Sequence, residues 1–578
     1  MSNQNAFRQL SLLTLIIAVA VARLNATSFI VTDLADAGPG TLRQAILDAN
    51  TTPGDDTISF TTNGTITLVT ELPAISDNTT ITGPGMNLLT VSGNSKVRIF
   101  YMLAGTTNSL SDLTVAAGFA QGEYLGPPVG TRYTNAPGVA NYGTLMMQRC
   151  TVRDCLVSFA GYGVGIFNQG VLDVENCILS GSNMKPLWTS SQTGGGGLFN
   201  RGTARMINCL ITNCVAGWSG AESGGGGIFN ATNGELFVSN TKIIGCHGDR
   251  GVYGSAGGLY NGGSAILDNC LIANSSGFYG GGILSSGSSS SLIMTNTTVR
   301  NCGAAVGGGI TLSGTGLFSG CTISSNTCGL RGLNDEAPGI LNSGTQLTMY
   351  NCTVSGNRDG SPDYPLTDHL GSGIRITSST NGSTILNHCT VISNSGPAEI
   401  LALGNFSASN SIIGSISGTN NSGGHNLIVD TNGCTIVGDT TGDLYNVAPQ
   451  LGPLRDNGGR TWTHALLPNS PAIDQTDASG QPTDQRGFAR PTAPSTSDIG
   501  AFEVVSITPP TMAISFATPD SVVISWDSAP AGFVLQQNPG FDTNSWSDLA
   551  VSQNDDGSKR WVVLPKSGDN KFYRLRSP

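Results

Sequence analysis

The sequence predicts an all-β chain built as a parallel β-helix, with an N-terminal cap and a small C-terminal β-sandwich-like module. Three observations carry this. A glycine phrase recurs as Gly194-Gly195-Gly196-Gly197-Leu198-Phe199-Asn200, Gly224-Gly225-Gly226-Gly227-Ile228-Phe229-Asn230 and Gly257-Gly258-Leu259-Tyr260-Asn261. A second phrase recurs as Asn176-Cys177-Ile178-Leu179, Asn208-Cys209-Leu210-Ile211, Asn269-Cys270-Leu271-Ile272 and Asn351-Cys352-Thr353-Val354. A unit that returns every few dozen residues cannot bury its apolar face alone and stacks on its copies. Third, 79 of 578 residues are glycine and only 11% are charged, a turn-rich composition far from the usual quarter of charged residues.

Five regions follow one another. Residues 1–26 read as an export signal: Arg8 precedes the apolar run Leu10 to Val21, with Ala18, Ala20, Ala22 and Ala26 as small residues around a cleavage point. The run is short for a membrane span, and the mature chain is expected to carry no transmembrane helix. Residues 27–100 hold the cap and first coils, with Leu42, Ala45 and Ile46 on one face of a helix of one or two turns. Such a helix would close the open end of a stack.

Residues 101–430 are the repeat array. Aligned on Cys150, Cys177, Cys209, Thr241, Cys270, Thr297, Cys321, Cys352, Cys389 and Ser411, successive copies lie 22 to 37 residues apart. A variable period with a firm minimum means fixed strands joined by loops of differing length. Three short strands per turn need about that many residues, and ten turns would make a rod roughly 50 Å long. Insertions such as Gly118 to Ala136 and Arg358 to Leu370 would project from one side. Propeller blades are longer and carry a Trp-Asp signature, and leucine-rich repeats need a leucine lattice; neither pattern is present. Residues 431–504 leave the period and gain Trp, Pro and charge. Thr508-Pro509-Pro510 is a linker, and 511–578 alternate as strands, for example Val522-Val523-Ile524-Ser525-Trp526.

Of thirteen cysteines, seven stand in the alignment column, and Cys155, Cys214, Cys246 and Cys302 fall five residues past it. Stacked, they would form ladders of small buried side chains. A few true disulfides are the alternative, while the absence of Cys-x-x-Cys leaves metal binding unsupported. Asn200, Asn230, Asn261 and Asn342 are expected to bond turn backbone and one another in register.

The net charge of −11 argues against nucleic acid as a partner. Glycoside hydrolysis needs two carboxylates across a groove, yet between residues 137 and 357 acids are sparse. The candidate catalytic set is Asp363, Asp368, His369 and Arg375, in the longest insertion and the strand after it; a solvated polar loop accounts for the same residues. His247, His388 and His425 stand alone. Asp474, Asp484, Asp498 and Glu503 could hold Ca²⁺, or equally pair with Arg486 and Arg490. No other cofactor is implied.

Ala37-Gly38-Pro39-Gly40-Thr41-Leu42-Arg43-Gln44-Ala45-Ile46 resembles the opening of secreted bacterial right-handed β-helix proteins. Asp456 to Leu467, Pro471-Ala472-Ile473-Asp474, Thr483-Asp484-Gln485-Arg486-Gly487 and Asp498-Ile499-Gly500-Ala501-Phe502-Glu503 are similar to their "choice-of-anchor Q" region. The glycine phrases resemble repeats of chlamydial polymorphic outer-membrane proteins, although the 75 residues after Glu503 are too few for a transporting barrel. The resemblance implies right-handedness, export and display at a bacterial surface, and transfers no catalytic residues. The function expected is a secreted, non-catalytic rod with an adhesive role toward polysaccharide or other cell-surface ligands. The alternative is a lyase or glycoside hydrolase acting on acidic polysaccharide.

Overall fold

A tripeptide such as Leu198-Phe199-Asn200 buries its leucine only by gaining neighbours. In the computed structural model it pairs in parallel with Ile166–Asn168 on one side and Ile228–Asn230 on the other. The structure describes residues 26–576 apart from 122, 125–130, 133, 159–160, 186–193, 218–223, 249–254, 330–336, 360–372, 378–381, 478–480, 492–495, 506–509, 529–532, 541–545, 550, 552 and 567–570. Each coil contributes a tripeptide strand, a pentapeptide such as Thr203–Ile207, and a second tripeptide such as Leu210–Thr212. Alternation along each strand sends one set of side chains inward. Val152, Leu179, Ile211, Ile243, Ile272, Val299, Ile323, Val354 and Val391 thus stack in register through nine coils, and all are buried. Each such burial stabilises by about 1.5–3 kcal/mol.

The corners explain the Asn-Cys phrase. Between the second and third strands one residue takes the left-handed conformation: Asn176, Asn208, Asn240, Asn269, Asn296 and Asn351 have φ of 49–54°. Asparagine tolerates that region better than other side-chain-bearing residues. The next residue points inward. Cys150 N–H donates to Cys177 Sγ at 3.2 Å, Cys209 N–H to Thr241 Oγ1 at 3.1 Å, and Cys321 N–H to Cys352 Sγ at 3.4 Å. Cysteine, threonine and serine share this column because each is small and can accept the preceding coil's N–H. All thirteen cysteines are free, and all but Cys434 are fully buried, the ladder that the spacing predicts.

At the corner between the first and second strands, Asn141, Asn168, Asn200, Asn230 and Asn261 are wholly buried. Each of the first four donates to the next asparagine's side-chain oxygen at 2.8 Å, and Asn261 donates to Ser285 Oγ at 3.1 Å. Asn342 does not join them: Ser285 and Leu312 occupy the intervening coils, and Asn342 donates instead to Thr384 Oγ1.

Three features differ from expectation. The N-terminal helix α1 (Leu42–Thr51) runs to nearly three turns; Thr41 caps it, and Leu42, Ala45, Ile46 and Ala49 are buried in the main core. Some coils carry a fourth short strand, stacked as Phe119–Gln121, Leu156–Ser158 and Asn183–Lys185 and again as Gly303–Ala304, Thr327–Cys328 and Arg358–Asp359. Finally, residues 452–503 turn back along the outside of the third strand column as a strap. The C-terminal module has two antiparallel sheets around Ile524, Trp526, Leu535, Val562 and Leu564. Among the described residues no helix is long and apolar enough to cross a membrane.

Candidate functional site

The strap creates the site. Its end is pinned by hydrogen bonds to coils more than a hundred residues earlier. Thr461 Oγ1 donates to Gly320 O at 2.7 Å, and Thr322 Oγ1 donates to Trp462 O at 2.6 Å. Gln485 Nε2 donates to the hydroxyls of Thr322 and Thr461, both at 2.9 Å, and its oxygen accepts from Thr353 Oγ1 at 2.7 Å. The strap therefore covers the third column from about Thr322 onward and leaves the earlier coils open.

Where it stops, a groove of about 340 Å³ lies between strap and sheet. Its floor is the outward face of three strands, Lys242–Ile244, Leu271–Ala273 and Thr298–Arg300, paired in register. Alternation puts Lys242, Leu271 and Thr298 side by side, with Arg300 two residues along. The left-handed corners add Asn240, Asn269 and Asn296, and Asn269 Nδ2 donates to Asn240 Oδ1 at 2.5 Å. Arg460 and Trp462 form the strap's wall. Trp462 is 43% exposed, and the Arg300 guanidinium stands 5.2 Å from its ring centroid, within range of a cation–π contact. The lining offers amides, hydroxyls, three cations and an indole, and no carboxylate.

The acidic residues predicted as Ca²⁺ ligands sit within the strap, and the cations they meet are guanidinium groups. Asp484 accepts from Arg486 Nε and N–H at 2.8 Å and from Glu503 N–H at 3.0 Å. Glu503 accepts from Arg490 at 2.9 Å and from Asp498 N–H at 3.0 Å. Asp498 accepts from the N–H groups of Asp474 and Val504, while Asp474 is exposed and offers this cluster only its backbone. Both ion pairs are almost fully buried, and the Arg486 guanidinium lies 3.5 Å from the Phe502 ring centroid. Burial pushes the Glu503 carboxyl up to about 7, against the pull of Asp498 N–H and Arg490. Among the described residues no three His, Cys, Asp or Glu side chains are gathered as a metal site would need.

Of the predicted catalytic set, Asp363, Asp368 and His369 lie outside the described residues. Arg375 is buried in the strand Ile374–Ile376, between Leu341 and Leu401. His388, which stands alone in the sequence, is buried. Its left-handed corner (φ 50°) is one where most coils carry asparagine. Sequence reasoning missed the groove. Its one legible signal is that Lys242 and Arg300 fall at outward positions, one and three residues after the alignment column. The approach of Arg460 and Trp462 has no periodic trace.

Residues 251–441 match the family model described as "Right handed beta helix region". Among solved structures, the chain is similar to the crystal structure of pectate lyase Pel9A, at 10% identity and a TM-score of 0.33, over 84% of this chain and 97% of that one. It is also similar to the crystal structure of Dettilon tailspike protein (gp208), at 14% identity and a TM-score of 0.30, over 93% of this chain and 90% of that one. No curated protein matches it. By its strand pairing and by the matched region, the chain is a right-handed parallel β-helix repeat protein.

Proposed function

We propose that this protein is an exported, non-catalytic β-helical rod that binds a cell-surface or extracellular polysaccharide in the groove beside the strap. One observation carries the reading: the groove is lined by amides, hydroxyls and cations without a carboxylate. Hydrolysis of a glycosidic bond needs an acid and a second carboxylate across the substrate, and this lining supplies neither. Amides and hydroxyls are instead the donors and acceptors that match a sugar's own hydroxyl groups. Export is supported by Arg8 and the apolar run Leu10 to Val21, and bacterial surface display by the resemblance of residues 456–503.

The test is a glycan array combined with a polyuronide panel, using the mature chain. The expected outcome is retention of glycan with no release of reducing ends or unsaturated product. Product formation that disappears in Asp368→Asn and His369→Ala would overturn the reading in favour of a lyase or hydrolase acting from the insertion.

A further inference from the structure

We infer that the groove's ligand is a linear polyanionic glycan, one bearing a carboxylate or sulfate along its length. This rests on the binding role proposed for the groove and names the class of ligand it takes.

The chain is short of cations, with 27 Lys and Arg against 38 Asp and Glu. Many of its arginines meet carboxylates: Arg43 pairs with Asp36, Arg98 with Glu71, Arg149 with Asp112 and Arg205 with Asp173. Arg486 and Arg490 pair inside the strap. Lys242, Arg300 and Arg460 do otherwise. They gather around one groove, and among the described residues none has an ion-pair partner. Arg300 Nε is buried with no acceptor, and its guanidinium faces an indole in place of a carboxylate. An acidic protein that leaves three cations uncompensated around one cleft focuses positive potential there.

The geometry favours an extended ligand. Lys242 and Arg300 lie on coils two apart, which sets their strands roughly 9.6 Å apart along the rod. Asn269 lies on the coil between them, and Thr298 shares the strand of Arg300. A polymer lying along the axis would present charge to Lys242 and Arg300 in turn and hydroxyls to the intervening amide and hydroxyl groups. Trp462 supplies a flat apolar face with a polar edge, suited to the face of a sugar ring. Arg460 and Trp462 come from the strap, so the site is complete only when the strap is docked. Nucleic acid is the other linear polyanion, and the amides and hydroxyls between the cations match sugar hydroxyl groups that a DNA backbone lacks.

The experiment measures affinity of the mature chain, by titration calorimetry at two ionic strengths, for polygalacturonate, heparin, neutral dextran and single-stranded DNA. Binding to polygalacturonate or heparin, whichever arm responds, with at least tenfold preference over dextran and DNA and weakening at higher salt, supports the inference. Lys242→Gln and Arg460→Gln should each weaken that binding about fivefold or more. Trp462→Ala should do so without changing its salt dependence. Unchanged thermal melts would show that these exposed substitutions leave the fold intact. Equal binding of dextran, equal binding of DNA, or affinity indifferent to all three substitutions would overturn the inference while leaving a glycan-binding role standing. Failure to bind any glycan, or cleavage of one, would remove the underlying role itself.

Discussion

Asn200 donates its side-chain amide to the side-chain oxygen of Asn230 at 2.8 Å, one coil away, with both residues wholly out of solvent. Asn230 repeats the donation to Asn261 and also donates to Gly234 O and Ser264 O, each at 3.0 Å. The ladder joins coils through side chains at a corner where the backbone also pairs, Ala231 N–H donating to Asn200 O at 2.8 Å. A buried polar group left without its partner costs about 1–3 kcal/mol, and truncating an interior member strands groups on both neighbouring coils. Asn230→Ala should therefore lower unfolding free energy by at least about 2 kcal/mol in a denaturant titration. Asn233→Ala, at an exposed loop position nearby, should stay within about 0.5 kcal/mol. Equal effects would mean the ladder adds nothing.

Asn208 tests the other corner. Its φ is 53° and its side chain is exposed, so substitution there alters conformation more than burial. Asn208→Gly should leave stability within about 0.5 kcal/mol, because glycine enters this region freely. Asn208→Ala should cost about 1 kcal/mol, because alanine keeps the Cβ that crowds the following carbonyl and loses the short polar side chain that offsets it. Thermal melts of the two variants side by side measure the difference. Alanine and glycine behaving alike would count against a conformational cause for the Asn-Cys phrase.

These two corners also show what was legible from residue order. Stacking forces like side chains into register, so a repeated phrase reports both the fold and the neighbours of each copy. The cysteine and asparagine columns could be read for that reason, up to Asn342, where Leu312 interrupts the contact. The strap obeys no period. Trp462 meets Thr322 through a backbone carbonyl 140 positions away, a contact that any residue type could make. Asp484 and Glu503 read as calcium ligands or ion-pair partners with equal ease, because only folding decides that Arg486 and Arg490 reach them. The groove inherits the difficulty, since its floor comes from the coils and its wall, Arg460 and Trp462, from the strap.

The cysteine columns make a chemical prediction. Burial pushes the thiols of Cys155, Cys209, Cys270 and Cys302 up to about 12, so the nucleophilic thiolate is scarce near neutral pH. Only Cys434 is partly exposed. A disulfide-exchange reagent at pH 8 should titrate no more than one thiol in the native protein. In denaturant without reductant it should titrate all thirteen. Recovery of only a few thiols after denaturation would establish disulfides in place of the ladder.

His388 resists acidification. Burial, reinforced by the nearby charge of Arg490, depresses its imidazole to about 2 from an ordinary 6.5. Nδ1 lies 2.7 Å from Asn387 Oδ1 and Nε2 is buried without a partner, so the native site holds the neutral ring. Between pH 2 and 6.5 the unfolded chain binds a proton that the folded chain refuses, and acidification through that window destabilises the fold. Glu503 acts in the opposite sense. Its folded carboxyl is raised to about 7 from 4.5, so the folded chain binds the extra proton and acidification from pH 7 to 4.5 relieves a cost. The two slopes oppose each other between about 4.5 and 6.5. His388→Asn keeps a side chain suited to the left-handed corner and removes one of the two. Its stability relative to the native chain should rise as pH falls from 6.5 to 5, at a slope approaching ~1.4 kcal/mol per pH unit. Denaturant midpoints at four pH values measure the slope, which separates titration from the pH-independent loss of packing. Parallel curves for the two proteins would show that His388 does not resist protonation.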